Sequence, residues 1–255
     1  MIYTHTLDPI LLALGPIQLH WYGLMYALGF FSGWLWLRRA ADAGRISLTA
    51  DQIETLLFAL FLGVILGGRM GHFLFYEQAT LFADPLQFFQ VWRGGMSFHG
   101  GLLGVAVALF WAVQRFQIPI LRLADLILPP VALGLFFGRI GNFINGELWG
   151  LPTSGAWGVI FPQSGDLLAR HPSQLYEAAY SLLIFAVLVW LSKTKARAGH
   201  GTFTFLLLYG FFRILVETFW REPIAGFIGP LTAGAAYSIP VLLAGLIGLG
   251  WLRWK

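Results

Sequence analysis

The sequence predicts an all-α, polytopic membrane protein with seven transmembrane helices, and three observations predict it. Of 255 residues, 58% are hydrophobic and only 11% are charged, whereas an ordinary soluble domain carries about 25% charged residues. Seven apolar runs are each long enough to cross about 30 Å of hydrocarbon at about 1.5 Å per residue. Lysine and arginine gather in alternate gaps between those runs, the pattern that orients a multi-pass chain. Mean hydropathy is +0.72. The chain has no cysteine, which removes a disulfide framework, a thiolate metal site and a cysteine nucleophile of its own.

In chain order the predicted spans are 17–37, 53–75, 98–114, 121–143, 172–192, 201–219 and 234–252. The first follows a stretch that holds Asp8 and no Lys or Arg before Arg38. It lacks the basic n-region of a cleaved signal peptide and is read as a retained span. Arg38, Arg39 and Arg45 follow it; Arg115 and Arg122 lie between the third and fourth spans; Lys193, Lys195 and Arg197 follow the fifth; Arg253 and Lys255 end the chain. The positive-inside rule makes these places cytoplasmic, with the N-terminus outside and the C-terminus inside. Segments 76–97, with Asp84-Pro85 as a helix-start signal, and 144–171 then form a small outer-face head on a single domain, residues 1–255. Gly63, Gly67 and Gly71, Gly100 and Gly104, and Gly134 and Gly138 recur every fourth residue, the spacing of close helix packing. No internal repeat and no paired, interrupted spans of the transporter kind are present.

Orientation leaves six arginines unexplained: Arg69, Arg93, Arg139, Arg170, Arg213 and Arg221. All fall in the outer half of a span or in an outer loop. A guanidinium fork matches two oxygens of phosphate or carboxylate at once, while the plainer reading is snorkelling or pairing with Glu77, Asp84, Glu177 or Glu222. The plainer reading is preferred for Arg93, Arg170 and Arg221. Arg139 and Arg213 lie inside apolar runs, where a charge costs about 2.5 to 3.5 kcal/mol on insertion scales, and are read as functional.

Arg139 belongs to the stretch from Gly138 to Gly150, which sets Arg139, Asn142, Asn145 and Glu147 at the end of an otherwise apolar run. Arg139 and Asn142 share a helix face, and Asn145-Gly146 reads as the helix stop. Tyr209, Arg213 and Glu217 follow one face of the sixth span at i, i+4 and i+8, with Arg213 and Glu217 spaced to pair. His99 opens the third span among glycines that clear space around its ring. A neutral imidazole there could take a proton from a thiol with the help of a nearby cation. Tyr22 and Tyr26 adjoin His20-Trp21, where an interfacial aromatic belt would also account for them.

The stretch from Gly138 to Gly150 resembles the signature of the prolipoprotein diacylglyceryl transferase family. Supporting matches in the same order are His20 to Tyr26, Gly67-Gly68-Arg69, Gly94 to Gly104, His171 to Glu177 and Tyr209 to Pro223. The resemblance implies a seven-span protein of the bacterial inner membrane, its active site towards the outer leaflet. The reaction it implies is transfer of a diacylglyceryl group from phosphatidylglycerol to the lipobox cysteine thiol of a prolipoprotein signal peptide, releasing glycerol phosphate. The family's important positions fall on Tyr22, His99, Arg139, Asn142, Glu147, Gly150, Tyr209, Arg213 and Glu217. Of these, His99, Arg139 and Arg213 are the expected catalytic residues; Tyr22, Asn142, Glu147, Gly150, Tyr209 and Glu217, with Arg139, are expected to bind substrate. Two departures stand out: the segment between Phe161-Pro162 and His171 is short, and Ala235 stands where glutamine is expected.

Two other classes use the same residues. An intramembrane hydrolase could draw on Ser97 and His99, but residues two apart point away from each other on a helix and no Gly-x-Ser-x-Gly elbow is present. An anion or lipid transporter could use the arginines, but its charges should cluster at the midplane or line a pore. No zinc motif or nucleotide loop calls for a metal or cofactor, and none is expected; nor is a nucleic-acid partner. The orientation is directly testable. A cysteine at Lys195 is expected to be shielded from an impermeant thiol reagent added outside, and one at Gln163 to react, on a background free of native thiols. The reverse labelling pattern would overturn the topology.

Overall fold

A computed structural model describes residues 2–15, 17–90, 94–223 and 226–254. The order of elements is β1 (Tyr3–Thr4), β2 (Ile10–Leu14), β3 (Ile17–His20), α1 (Trp21–Asp42), α2 (Ala50–Phe75), α3 (Gln78–Ala83), α4 (Phe98–Phe116), α5 (Ile120–Ile144), β4 (Val159–Ile160), β5 (Ala169–Arg170), α6 (Ser173–Ser192), α7 (His200–Phe219), β6 (Phe227–Ile228), β7 (Leu231–Thr232) and α8 (Ala233–Trp254). The fold is mostly helical, at 68%, and it is a multi-pass membrane architecture. Among the described residues six helices are long and apolar enough to cross a membrane: α2, α4, α5, α6, α7 and α8. Large apolar side chains on them, such as Phe58, Phe110, Trp190 and Ile247, are exposed, the surface that a membrane-spanning helix presents to lipid.

Two expectations need correction. The fold is not purely α, because short strands build the segments outside the long helices. The first predicted span also begins too early: residues 17–20 are β3, paired antiparallel with β2, and the helix starts at Trp21. The apolar run Ile10 to Leu19 reads equally well as buried strand or helix, and Gly15 in a left-handed turn (φ +60°) settles it as a hairpin. The 22-residue α1 is not among the six apolar helices; Trp21, Tyr22, Tyr26, Trp34 and Trp36 give it polar edges that aliphatic spans lack.

The chain forms two compact units: residues 34–123, and residues 1–33 with 124–255. In the first, α2 opens with a capping box, Thr49 Oγ1 accepting from the Gln52 amide at 3.3 Å and Gln52 Oε1 from the Thr49 amide at 2.9 Å. It packs backbone to backbone on α4. A Cβ on Gly71 would lie 2.7 Å from Cα of Gly100, and one on Gly67 or Gly104 would strike the partner helix's backbone. Ser97 is buried and caps α4 by accepting from the Gly100 amide at 3.3 Å, so its hydroxyl serves the helix end. Arg69 is buried as well. Its guanidinium donates to the carbonyls of Phe88 (2.9 Å), Gly95 (3.1 Å), Gly94 and Gln87 and lies 4.8 Å from the Phe73 ring. It is a clamp on the segment that leads into α4. Arg93 and Lys255 lie outside the described residues.

The second unit contains the hairpin β2–β3, helices α5 to α8 and a small sheet ordered β1-β4-β5, in which β1 runs parallel to β4 and β4 antiparallel to β5. Its core gathers Ala132, Tyr180, Ile184, Leu188, Phe205 and Val216. α7 and α8 approach through Gly210 against Leu242, Gly245 against Leu207 and Gly248 against Phe203. The Asp125 carboxylate accepts from the amides of Gly199 and Thr202 and from the Thr202 hydroxyl, each at 2.6 Å, which satisfies orphan donors at the start of α7. Gly134 and Gly138 differ from the other glycine series, because a Cβ on either meets nothing within 4 Å. Gly67→Ala is therefore expected to cost about 1 to 3 kcal/mol of stability through overpacking against α4, and Gly134→Ala to be neutral. Thermal unfolding of the two variants in detergent checks the difference; equal midpoints would refute the close-packed reading of α2 and α4.

Candidate functional site

Three stretches far apart in sequence converge in the second unit: the end of α5, the start of α6 and the end of α7. Alternating helix direction brings these ends to one side. The turn after α5 is made by Gly146 (φ +66°) and Leu148 (φ +60°), and it is pinned from α6, where Gln174 Nε2 donates to the Glu147 carbonyl at 2.6 Å and Ser173 Oγ to the Leu148 carbonyl at 3.1 Å. Beyond it, Gly150 donates its amide to the His171 carbonyl at 2.8 Å, and Leu151 to the Trp220 carbonyl at 2.8 Å. A Cβ on Gly150 would collide with the Trp220 carbonyl and with His171, so glycine is required for the approach. His5 secures the other side, its Nε2 donating at 2.7 Å to the Phe143 carbonyl at the end of α5.

Within this frame lies a network of charges. Arg139 donates from Nη1 to Asn142 Oδ1 at 3.2 Å, Asn142 Nδ2 donates to Glu147 Oε1 at 2.8 Å, and Asn145 Nδ2 adds a second contact to that oxygen at 3.1 Å. Arg213 pairs through Nη2 with Glu217 Oε2 at 2.9 Å. At the centre is Glu177, fully buried. Its Oε2 takes Arg139 Nη2 at 2.9 Å and Arg213 Nη1 at 3.0 Å, while Oε1 pairs with Arg221. Arg221 also reaches Glu217 Oε2 with Nε at 3.5 Å. Glu217 is held from behind by Gly234 of α8, where any side chain would run into its carboxylate. Tyr209 stacks on Phe205 with ring centres 5.6 Å apart and meets Tyr180 edge-on at 6.3 Å.

The structure thus brings together Arg139, Asn142, Glu147, Gly150, Arg213 and Glu217. Tyr22 joins them: its ring covers Gly141, where a Cβ would lie 2.8 Å away, and its hydroxyl interacts with the Asn142 side chain. The Tyr22–Tyr26 hydroxyl contact is long, at 3.5 Å. His99 belongs to the other unit, in the first turn of α4, and is exposed. Sequence reasoning missed Glu177 as the centre. It also separated Arg221 from Arg139 and Arg213, although all three meet the same carboxylate. The available signal was a carboxylate at 177 within an apolar run, which requires a cationic partner.

Arg170 follows the plainer reading. It bridges Asp166 at 2.6 Å and Glu222 at 2.8 Å, and Glu222 accepts from Trp149 Nε1 at 2.8 Å. The Arg170 contact holds the Asp166 carboxyl below the usual carboxylate range, and burial pulls His171, whose Nδ1 lies 3.0 Å from the Tyr176 hydroxyl, below the ordinary imidazole value. Chemically, the central cluster offers guanidiniums, partly accessible and fixed by buried carboxylates, at the ends of apolar helices. Such a site suits an anionic group that arrives in lipid.

The sequence model described as prolipoprotein diacylglyceryl transferase matches residues 9–251. The chain is 47% identical over 251 residues to the phosphatidylglycerol–prolipoprotein diacylglyceryl transferase of Bordetella parapertussis, covering 96% of this chain and 95% of the relative. It is 45% identical to the protein of the same name from Xanthomonas euvesicatoria pv. vesicatoria, covering 99% and 94%. It is 47% identical to that from Nitratidesulfovibrio vulgaris, covering 94% and 92%.

Proposed function

The chain belongs to the prolipoprotein diacylglyceryl transferase family, and on that premise we propose that it transfers the diacylglyceryl group of phosphatidylglycerol to the lipobox cysteine thiol of prolipoproteins. The protein is a transferase; the hydrolase and transporter alternatives have no support from its relatives. The observation that carries the reading at the level of residues is the pair Arg139 and Arg213 held on one buried carboxylate among apolar helices.

In the proposed reaction the thiolate sulfur attacks the terminal glyceryl carbon of the donor. A carbon–sulfur thioether bond forms as the carbon–oxygen bond to phosphate breaks, and glycerol phosphate leaves with the electron pair. Charge accumulates on that phosphate, and Arg139 and Arg213 are suited to bind it and stabilise the charge where water is scarce. Asn142 and Glu147 orient Arg139, Glu217 orients Arg213, and Tyr22 and Tyr209 line the substrate's place. Gly150 acts through its backbone by allowing the chain segments to meet. His99 is proposed as the base that takes the thiol proton or as the group that orients the thiolate.

In the proposed topology α1 is the seventh span, the N-terminus lies outside, and the C-terminus lies in the cytoplasm of a bacterial inner membrane. Segments 76–97 and 144–171 face outward with the active site. This places the cluster at the level of the outer-leaflet headgroups, where an anionic glycerolipid presents its phosphate.

The test is transfer of labelled diacylglycerol from phosphatidylglycerol to a lipobox peptide by purified protein without an ion gradient. Absence of transfer would refute the reading. Within that assay, Arg139→Lys is expected to be nearly as inactive as Arg139→Ala, because lysine keeps the charge and loses the fork; near-normal turnover would show that charge alone suffices. If His99 is the base, His99→Gln is expected to abolish transfer near pH 7 and to recover partly towards pH 8.5, where about half of an ordinary thiol ionises unaided. A His99→Gln profile parallel to wild type would leave His99 only a positioning role.

A further inference from the structure

Glu177 lies in the second turn of α6 with no exposed surface. A lone carboxylate in such a place would be untenable, and three guanidiniums make it tenable. Two of them end on the same oxygen, so Arg139 Nη2 and Arg213 Nη1 lie no more than about 6 Å apart. The third, Arg221, holds the other oxygen and stops the carboxylate from turning. We propose that Glu177 is the positioning residue of the transfer reaction. It sets the separation of the two guanidiniums that receive the donor's phosphate and fixes the charge that the phosphate meets. The inference rests on the reading that Arg139 and Arg213 bind that phosphate.

The charge argument sharpens the role. The ion-paired cluster holds three guanidiniums against the carboxylates of Glu177 and Glu217, one positive charge in excess, with Glu147 one amide further out behind Asn142. A phosphodiester monoanion balances that excess in the ground state. As the carbon–oxygen bond breaks, the departing glycerol phosphate gains a second negative charge, and the guanidiniums gain interaction energy only then, which is the condition for raising turnover. Without the Glu177 charge, two positive charges stand in excess and the arginines lose their common tether. The site then binds ground-state anions too well and the transition state too poorly.

The experiment compares wild type, Glu177→Gln and Glu177→Asp in mixed micelles of phosphatidylglycerol. It measures kcat and KM for transfer to a lipobox peptide, inhibition by added glycerol phosphate, and the folded fraction by size-exclusion chromatography. For Glu177→Gln, kcat per folded molecule is expected to fall about 100-fold, on the scale of losing one transition-state donor. KM for phosphatidylglycerol should not rise, and inhibition by glycerol phosphate should tighten about tenfold, as expected for an added positive charge at close range. Unchanged kcat overturns the proposal. So does a fall in kcat with raised KM and unchanged inhibition, the pattern of a residue that only supports the fold. If Glu177→Gln does not fold, Glu177→Asp decides: it keeps the charge but withdraws it by one methylene. Its kcat is expected to fall about tenfold with inhibition unchanged, and wild-type kcat would overturn the proposal. Failure of wild type itself to transfer lipid would refute the functional reading instead.

Discussion

Everything at the proposed site depends on one carboxylate that has no contact with solvent. Glu177 meets three guanidiniums, and removing one partner of a buried ion pair typically costs about 3 to 5 kcal/mol. That scale rivals the net stability of a whole domain, so the ends of α5, α6 and α7 are not free to choose other neighbours. The lacing around Glu177 follows from it. Gln174 and Ser173 hold the turn at Glu147 and Leu148, which keeps Asn142 and Glu147 beside Arg139. Glu217 in turn is confined by Gly234.

Glycine is the second half of the same design. Apolar side chains give helices no reason to associate in lipid, so close approach must come from small residues. On α2 and α4 this brings backbones into contact at Gly67, Gly71 and Gly100. Around the charged cluster glycine does something different: Gly141 accepts the Tyr22 ring, Gly150 the Trp220 carbonyl and Gly234 the Glu217 carboxylate. In each case the missing side chain is replaced by a group the site needs.

The sequence made legible what is local or long. Runs of twenty apolar residues fixed α2 and α4 to α8 to within a few residues, because no other element accounts for them. The pairs Arg139–Asn142 and Arg213–Glu217 followed from helical spacing, and the structure forms both. Two-residue strands such as β1, β4 and β5 have no period to read. The apolar hairpin β2–β3 imitates the start of a span. Glu177 was hidden for a different reason: its partners lie 38, 36 and 44 residues away, and no spacing rule reaches that far. In the sequence Arg69 is one of the six arginines that orientation leaves unexplained, and nothing there decides its use. Its use is to satisfy carbonyls of an irregular segment that has no ladder of its own.

Why should a site proposed to take a lipid phosphate carry so many carboxylates? Bare guanidiniums at the ends of apolar helices would be costly to insert, and an anionic headgroup would hold to them tightly. Glu177 and Glu217 lower the first cost by pairing with the arginines, and in the proposed reaction they also weaken the second. On that proposal they leave one positive charge in excess, which a monoanionic donor balances and a leaving group that is gaining charge exploits. In the proposed reaction such a balance favours release of glycerol phosphate while stabilising the charge at the moment of bond breaking. The chain contributes no thiol of its own, so the nucleophile in the proposed reaction comes with the acceptor, and the protein's own groups are left to manage charge.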